Sequence, residues 1–330
     1  MNIVGINGFG RIGRCFTRIA LADKSINIAV VNDLADINTL AHLLKYDSIH
    51  GTLDLSFTIQ KNTLHFENGK KIIFTQEKDP SLIPWGNYSV ETVVDCTGLF
   101  LTRELANKHL KNSVKRVILS APANDSTIPT VVIGVNDHEI NLSDTIFSNA
   151  SCTTNNAAAM IKVLKELVNI DVAYISTVHS YTSDQRLHDS PHKDLRRARS
   201  AANSIIPTST GAAKAITKIF PDLDGKITGG SVRVPVLDGS MTEMTIITKD
   251  EITVEQINSA MKDAALGSLE GILGYTEDPI VSVDVIGSSY SCLFDADLTL
   301  VFNNLIKVVG WYDNEAGYSH RLIDFVRKFN

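Results

Sequence analysis

The segment Asn2-Ile3-Val4-Gly5-Ile6-Asn7-Gly8-Phe9-Gly10-Arg11-Ile12-Gly13 opens the chain and decides its fold. Its first half is a short apolar run that predicts a β-strand, and its second half carries the glycines Gly8, Gly10 and Gly13. An amphipathic stretch from 14 to 22 follows and predicts a helix. A glycine turn between a strand and a helix lets a pyrophosphate approach the helix N-terminus, so we predict a dinucleotide site.

An acidic residue after the second predicted strand strengthens this prediction. The run from Ile26 to Val31 is β-branched, and Asp33 lies 20 residues after Gly13. A carboxylate at this place accepts hydrogen bonds from ribose hydroxyls and repels a 2′-phosphate. The sequence therefore predicts NAD rather than NADP as the cofactor. The alternative is a glycine turn in an unrelated α/β domain.

Strands and helices alternate through the first 150 residues. A helix is predicted at 37–44, a meander of short strands at 57–75, a helix at 101–110, and strands at 90–96, 116–120, 131–133 and 145–147. Repeated β-α-β units imply a doubly wound parallel sheet of the Rossmann type.

The pattern changes after residue 150. Longer strands are predicted at 172–178, 226–236, 239–248, 280–286, 298–302 and 305–311, with helices at 212–219 and 254–266. These elements predict a mainly antiparallel sheet with helices on one face. We therefore expect an α/β protein with a Rossmann domain at 1–150, completed by a C-terminal helix at about 315–330, and an α+β catalytic domain at 151–314.

Composition and charge exclude several classes of protein. The 330 residues carry a formal charge of -6, which argues against nucleic acid or an anionic membrane as the main partner. No apolar run approaches membrane-spanning length and no signal-peptide pattern is present, so we expect a cytoplasmic protein. The cysteines form no C-x-x-C pair and no zinc spacing, so we expect no metal.

A cysteine between hydroxyl residues is the strongest candidate for catalysis. Ser151-Cys152-Thr153-Thr154-Asn155 stands between a predicted strand and a predicted helix, with Ser151 as the helix cap. The start of a helix favours a thiolate, which is a strong nucleophile. A lone cysteine is more often a small buried hydrophobe, but the polar neighbours favour the catalytic role here.

His179 is the candidate base for this thiol. It ends the strand that follows the Cys152 helix, and an imidazole can take the thiol proton. Taken alone, a histidine at a strand end is more often an ordinary surface or core residue. His188 and His192 are rivals, but they lie in a long basic segment and look solvated.

Arginines and hydroxyl residues after 180 are candidates for binding anions. Arg197 lies within the long segment 180–207, and Thr208-Ser209-Thr210-Gly211 precedes a predicted helix. Arg233 stands on a predicted strand between apolar neighbours, where it needs a carboxylate or a ligand phosphate as a partner. Arg suits phosphate because of its planar fork of donors. A solvated or subunit-facing charge run is the alternative for the arginines of the segment.

Four separate motifs together carry a family resemblance that runs from residue 2 to about 329. They are Asn7-Gly8-Phe9-Gly10-Arg11-Ile12-Gly13-Arg14, Lys45-Tyr46-Asp47-Ser48, Ser148-Asn149-Ala150-Ser151-Cys152-Thr153-Thr154-Asn155 and Trp311-Tyr312-Asp313-Asn314-Glu315. With these motifs the chain resembles the phosphorylating glyceraldehyde-3-phosphate dehydrogenases.

The resemblance implies a role for each matching residue. Cys152 would be the nucleophile and His179 its base. The residues that would hold substrate phosphate and inorganic phosphate are Ser151, Thr153, Thr182, Arg197, Thr210, Gly211 and Arg233. Those that would contact NAD, beside the glycines, are Arg11, Ile12, Asp33, Lys78, Ser120 and Asn314.

The resemblance also implies the reaction and the assembly. It implies oxidation of glyceraldehyde 3-phosphate by NAD with inorganic phosphate, in glycolysis or gluconeogenesis, through a thiohemiacetal and a thioester on Cys152. It further implies a homotetramer in which the segment 180–207 lies against a neighbouring subunit's cofactor. The alternatives are an erythrose-4-phosphate dehydrogenase and, in another class, a non-enzymatic binding or surface protein.

Three positions depart from the family pattern. Lys78 replaces an Arg that many members have near the adenine, and Ala316 replaces a Trp. Ser190-Pro191 stands where NAD-preferring members often have Leu-Pro, and losing the Leu would loosen discrimination against NADP.

Overall fold

The chain forms two compact units in a computed structural model that describes residues 1–141 and 143–329. The first unit comprises Met1–Val131, Glu139–Ala150 and Ser319–Asn330, and the second comprises Val132–His138 and Ser151–Tyr318. The short segment Val132–His138 thus belongs to the second unit, although the chain enters it from the first.

The first unit is built on an eight-stranded sheet. Its strands and helices are β1 (Asn2–Asn7), α1 (Arg11–Ala22), β2 (Ile26–Asn32), α2 (Ile37–Lys45), β3 (Tyr46–Asp47), β4 (Gly51–Thr52), β5 (Phe57–Gln60), β6 (Thr63–Phe66), β7 (Lys71–Thr75), β8 (Thr92–Asp95), α3 (Arg103–Ala106), β9 (Arg116–Leu119) and β10 (Ile146–Ser148). The order in the sheet is β10-β9-β8-β1-β2-β7-β6-β5, and β3 pairs separately with β4.

Strand direction in this sheet confirms the predicted doubly wound parallel fold. Every pair from β10 across to β7 is parallel, whereas β7-β6-β5 is the predicted antiparallel meander. The central strand β1 is buried on both faces, as Val4 and Ile6 are buried on one face and Gly5 and Asn7 on the other. A central parallel strand is therefore a continuous apolar run, and its carboxyl end carries the glycine turn to the edge where such folds bind nucleotides.

The second unit contains another sheet of eight strands. Its elements are α4 (Cys152–Leu167), β11 (Ile170–Ser180), β12 (Ile206–Thr208), α5 (Ala212–Ile219), β13 (Ile227–Val234), β14 (Ser240–Thr248), α6 (Val254–Leu266), β15 (Leu273–Thr276), β16 (Cys292–Asp295), β17 (Leu300–Phe302), β18 (Leu305–Tyr312) and the start of α7 (Ala316–Arg327). The strand order is β12-β13-β11-β14-β18-β16-β15, with β17 beside β18.

This second sheet is mainly antiparallel, as predicted. Only the pairs β11–β13 and β15–β16 are parallel among the described strands. Side chains of β14 alternate between buried and half-buried, which is the pattern of a sheet covered on one face. Helix α4 packs against β11, β14, β16 and β18, and its segment 157–161 is fully buried. Packing against the sheet therefore fixes the position of α4 and, with it, of Cys152 at the start of the helix.

Two predicted strands are wrong, and in both cases a side-chain acceptor closes a local turn. At 131–133, the Val132 N–H donates to Asn136 Oδ1 at 2.8 Å and the Gly134 N–H donates to Asp137 Oδ1 at 2.8 Å. At 280–286, the Val281 N–H donates to Asp284 Oδ2 at 2.8 Å and opens a 3₁₀ turn over Ser282–Val285. Apolar composition alone does not show such local competition for the backbone.

The helix predicted at 101–110 is shorter than expected. It consists of α3 followed by a 3₁₀ turn at Asn107–His109. Strands β12, β15 and β16 were not predicted. Within the described residues, no helix is long and apolar enough to cross a bilayer.

Candidate active site

The glycine turn after β1 has a distinct geometric reason for each of its three glycines. Gly8 has φ +91°, a conformation that side chains rarely adopt. A Cβ on Gly13 would lie 2.3 Å from the Gly8 carbonyl oxygen, so α1 could not pack this closely on the turn. A Cβ on Gly10 would meet no protein atom within 4 Å. Gly10 therefore faces open space, which is where a dinucleotide pyrophosphate approaches in a Rossmann domain.

Asp33 is held against this turn by backbone donors. Its Oδ2 accepts from the Phe9 N–H at 2.7 Å and its Oδ1 from the Ala35 N–H at 3.0 Å. Each carboxylate oxygen has a second lone pair that can accept from a ribose hydroxyl. The side chain is half-buried, so it remains accessible to a ligand.

Arg11 and Ile12 form the first turn of α1, which begins at Gly10 without a side-chain cap. The Arg11 guanidinium forms a two-pronged ion pair with Asp47, at 2.6 and 3.0 Å. Burial would raise the pKa of the Asp47 carboxyl, but Arg11 and the N–H groups of His50 and Ile49 outweigh burial and hold it well below its usual range. The Arg11 side chain is thus engaged within the protein, and its contact with NAD stays a prediction.

Lys78 and Ser120 lie at two further loops of the first unit. Lys78 is exposed and lines a cavity of about 400 Å³ with Phe100 and Lys108. Ser120 follows β9, and its N–H donates to the Asp95 carbonyl at 2.9 Å. Both loops follow a strand of the parallel sheet, at the edge where such sheets bind nucleotides.

In the second unit, Cys152 is the first residue of α4. Ser151 caps the helix and its hydroxyl accepts from the Thr154 N–H at 3.1 Å, as the sequence predicts. The Cys152 Sγ lies 3.5 Å from the His179 Nε2. The structure therefore brings together the predicted nucleophile and the predicted base at hydrogen-bonding distance for sulfur.

The second ring nitrogen of His179 determines which tautomer can act as a base. Nδ1 lies 2.7 Å from the Ser180 carbonyl oxygen, to which it donates when it carries the hydrogen. Nε2 is then an acceptor and can take the thiol proton. Arg233 Nη1 donates to the same carbonyl at 3.0 Å and lies 2.8 Å from Nδ1, which is a contact between two donors in this tautomer, because a guanidinium cannot accept. Arg233 thus contacts the base directly.

Burial decides the resting charges of this pair. Burial, together with the positive charge of Arg233, lowers the pKa of His179 to about 3. Burial raises the pKa of the Cys152 thiol, while Arg233 and the Thr153 N–H oppose that rise. The N-terminus of a helix lowers the pKa of a thiol, but burial has the larger effect on the pKa of Cys152. The resting pair is therefore a neutral thiol beside a neutral imidazole, and burial opposes proton transfer between them.

Tyr312 is a site residue that the residue-by-residue analysis of the sequence missed. Its hydroxyl lies 2.9 Å from the Thr153 Oγ1, and its ring stands edge-on to the His179 ring at 6.0 Å between centroids. Burial raises the pKa of the Tyr312 phenol, so the group stays a neutral donor. The motif at 311–315 was the available signal, but within it only Asn314 was assigned a role.

Asn314 is oriented by two hydroxyl groups. Its Oδ1 accepts from Ser180 Oγ at 2.9 Å and from Ser240 Oγ at 2.7 Å, within a buried environment. The amide oxygen is thereby occupied, and the amide N–H₂ group is directed away from these two serines. This is the orientation that a donor to a carboxamide oxygen requires.

The predicted anion-binding residues differ in how fully they are already paired. Arg197 donates to Thr208 Oγ1 at 2.8 Å and forms ion pairs with Asp184 and Asp194. Arg233 has no carboxylate at ion-pair distance in the part of the chain that the structure describes, and its Nε is buried without a partner there. Arg233 therefore has more capacity for a ligand anion than Arg197.

The remaining predicted phosphate residues lie in loops near strands β12 and β13. Thr210 Oγ1 accepts from the Ala212 N–H at 3.2 Å, and Gly211 caps α5 without a side chain. The Thr182 N–H donates to Gln185 Oε1 at 3.2 Å. The start of α5 is open, because a Cβ on Gly211 would meet nothing within 4 Å.

Comparison with known proteins shows the family of this chain. Residues 2–103 match the family described as "Glyceraldehyde 3-phosphate dehydrogenase, NAD binding domain", and residues 151–314 match its "C-terminal domain". The chain is 50% identical over 326 residues to glyceraldehyde-3-phosphate dehydrogenase 1 of Bacillus cereus, covering 98% of this chain and 97% of the relative. It is 52% identical over 323 residues to the Geobacillus stearothermophilus enzyme of that name, covering 97% and 96%. This chain belongs to the glyceraldehyde-3-phosphate dehydrogenase family.

Proposed function

We propose that this chain oxidises D-glyceraldehyde 3-phosphate to 1,3-bisphosphoglycerate with NAD and inorganic phosphate, in glycolysis or gluconeogenesis. The observation that carries the proposal is the 3.5 Å contact between the Cys152 Sγ and the His179 Nε2, with Arg233 bonded beside it. Similar relatives carry the name of the triose enzyme, so the erythrose-4-phosphate and non-enzymatic alternatives are not favoured.

The chemistry begins with a proton transfer within the thiol pair. Cys152 attacks the aldehyde carbon while His179 Nε2 takes the thiol proton and passes it to the former carbonyl oxygen, giving a thiohemiacetal and a neutral imidazole again. NAD, when bound, supplies the acceptor for the hydride that leaves this carbon. His179 takes the hydroxyl proton in the same oxidation, and a thioester remains on Cys152. Inorganic phosphate then attacks the thioester carbon, releases the acyl phosphate and restores the thiolate.

Positively charged and hydroxyl groups of the second unit position the phosphates. Arg233 and Arg197 supply the charges. The Arg197 Nε–H donates to the Thr208 Oγ1 at 2.8 Å, which orients the guanidinium. The other groups proposed for these two phosphates are Ser151, Thr153, Thr182, Thr210 and Gly211. The stretch 208–211 precedes α5 and thereby offers an inorganic-phosphate site at a helix start.

The NAD site is proposed for the first unit. The residues that fit are the open Gly10, the uncapped start of α1 and the Asp33 carboxylate. Lys78 is proposed to lie near the adenine, Ser120 to contact NAD, and Asn314 to hold the nicotinamide carboxamide. We further propose that 1–150, completed by the helix at 315–330, acts as the cofactor domain and 151–314 as the catalytic domain.

We also propose a homotetramer in the cytoplasm. Three large apolar side chains of the segment 180–207 are strongly exposed: Leu187 at 63%, Leu195 at 81% and Ile205 at 71%. Exposed apolar side chains within one segment suit a surface that a neighbouring subunit covers. Light scattering of the purified protein should give four times the 36.0 kDa chain mass.

A spectrophotometric assay tests the function. NADH formation is followed with glyceraldehyde 3-phosphate or erythrose 4-phosphate, each with and without inorganic phosphate. We expect fast, phosphate-dependent turnover of the triose and a much lower kcat/KM for the tetrose. Higher kcat/KM for the tetrose would favour the erythrose alternative, and no turnover of either would contradict the proposal.

A further inference from the structure

A buried hydrogen-bond chain lies beneath the glycine turn in the first unit. Asp95 ends β8 and its side chain is almost fully buried. Its Oδ1 accepts from the Thr97 N–H at 3.0 Å and the Thr97 hydroxyl at 2.6 Å. Its Oδ2 accepts from Asn7 Nδ2 at 2.8 Å and lies 3.2 Å from His109 Nε2. One carboxylate thus receives donors from three separate parts of the chain.

Trp85 sets the tautomer of His109. The indole Nε1 lies 3.3 Å from the His109 Nδ1, and an indole N–H can only donate. Nδ1 is therefore the acceptor, and Nε2 carries the hydrogen that points to Asp95. His109 is fully buried, and the Phe100 ring packs edge-on against it at 5.9 Å. The imidazole is held as a fixed donor to Asp95.

Asp95 bonds to Asn7, which precedes the glycine turn, and to Thr97, whose loop packs against the turn. A Cβ on Gly8 would lie 2.9 Å from the Thr97 N, so this turn rests directly on the Thr97 loop. Asn7 precedes Gly8, and its Oδ1 accepts from Asn32 Nδ2 at 2.9 Å. Asn32 in turn precedes Asp33. The chain of bonds therefore links the end of β8 to the ends of β1 and β2, where the glycine turn and Asp33 proposed for NAD begin.

We propose that His109 is a positioning residue for the cofactor site, acting through Asp95 on the Asn7–Gly8 turn and the Thr97 loop. A buried polar network in which every member is bonded makes its surroundings rigid, and a rigid site loses less freedom on binding. His109 lies in the 3₁₀ turn Asn107–His109, outside the glycine turn and the Asp33 loop, so its effect on NAD passes through Asp95. This inference rests on the proposed use of NAD.

The test replaces the imidazole by an aromatic ring that has no donor. In His109→Phe, we expect the Kd for NAD, measured by isothermal titration calorimetry, to rise roughly tenfold. The KM for NAD should rise with it, while kcat at saturating NAD changes less than about twofold. Val117→Ala is the matched control, because Val117 lies in the same apolar cluster as Trp85 but takes no part in the bond chain. It should lower the melting temperature and leave the Kd for NAD unchanged.

A double-mutant cycle keeps the inference testable if His109→Phe does not fold. His109→Gln retains an N–H donor and should bind NAD more tightly than Asp95→Asn. The double variant His109→Gln/Asp95→Asn should bind NAD no more weakly than Asp95→Asn alone, because His109 acts on the turn through the Asp95 carboxylate that this change already removes. Additive losses, or wild-type affinity in His109→Phe, would overturn the inference. A wild-type protein that binds no NAD would overturn the proposed function, and this inference with it.

Discussion

The glycine turn of the first unit and the thiol centre of the second are built from different groups. The turn is made of backbone: Gly8, Gly10 and Gly13 each serve by lacking a side chain. The thiol centre is made of side chains from separate elements, with Cys152 at the start of α4, His179 at the end of β11 and Arg233 on β13. One site leaves space for a ligand, whereas the other holds reactive groups in contact.

This difference predicts opposite responses to mutation. Removing a side chain from the thiol centre deletes chemistry but leaves the fold, because Ser151 caps α4 and backbone pairing with β13 and β14 holds β11. Adding a side chain to the glycine turn leaves the chemistry but obstructs a ligand or the backbone. The five predictions that follow test this contrast.

The largest effect is expected at the nucleophile. Cys152→Ser should lower kcat/KM by at least about 10⁴-fold, because the hydroxyl is a far weaker nucleophile than the thiol. The Kd for NAD should stay at the wild-type value, since the glycine turn and Asp33 belong to the other unit. The two measurements are steady-state kinetics and calorimetry. Substantial residual turnover would contradict the covalent mechanism.

The base should have the next largest effect. In His179→Asn, kcat should fall about 10²–10³-fold, and the pH dependence of Cys152 alkylation by iodoacetamide should move upward. The pKa of His179, about 3, means that the imidazole is neutral near pH 7, so its Nε2 lone pair faces the thiol, although burial makes it a weak base. Without this acceptor, the thiolate forms only at higher pH. An unchanged alkylation profile would show that His179 is not coupled to the thiol.

Arg233 should separate phosphorylated from unphosphorylated substrates. Arg233→Ala removes a charge-assisted contact worth about 1.5–3 kcal/mol, so kcat/KM for glyceraldehyde 3-phosphate should fall about 10- to 100-fold more than that for glyceraldehyde. Some loss for both substrates is expected, since Arg233 also contacts His179 Nδ1. Arg233→Lys is the control that keeps the charge. Equal losses for the two substrates would indicate that Arg233 only supports His179.

Two glycines provide a matched pair for the first unit. In Gly13→Ala, the new Cβ would lie 2.3 Å from a backbone oxygen, so we expect a loss of about 1–3 kcal/mol in the free energy of unfolding. In Gly10→Ala, the Cβ enters open space, so stability should be unchanged while the Kd for NAD rises roughly tenfold. Thermal unfolding and calorimetry separate the two. Wild-type affinity in Gly10→Ala would mean that the cofactor does not pass over Gly10.

The same contrast explains what the sequence can predict. The glycine turn, Asp33 and the cap of α4 lie in short local motifs, and their geometry follows from residues within a few positions. Tyr312 and the chain through His109 depend on contacts between residues far apart: Thr153 meets Tyr312 across 159 positions. Periodicity carries no information about such pairs. The wrong strand at 280–286 has a local cause, since the Asp284 carboxylate competes for the Val281 N–H.

The smallest effect expected is on the choice between NAD and NADP. Asp33 should repel a 2′-phosphate directly, and its two bonds from Phe9 and Ala35 fix its position. Ser190 is the competing influence, and it is exposed in the segment 180–207. We expect wild type to favour NAD in kcat/KM and Asp33→Gly to lose most of that preference, roughly tenfold. Asp33→Asn keeps an acceptor for one of the two N–H groups but removes the charge. It therefore separates charge repulsion of the 2′-phosphate from the effect of the side chain on the shape of the loop. If its preference for NAD equals that of wild type, the carboxylate charge does not discriminate. If wild type uses both cofactors equally, Ser190 outweighs Asp33, and a backbone-built site would owe its specificity to a residue outside it.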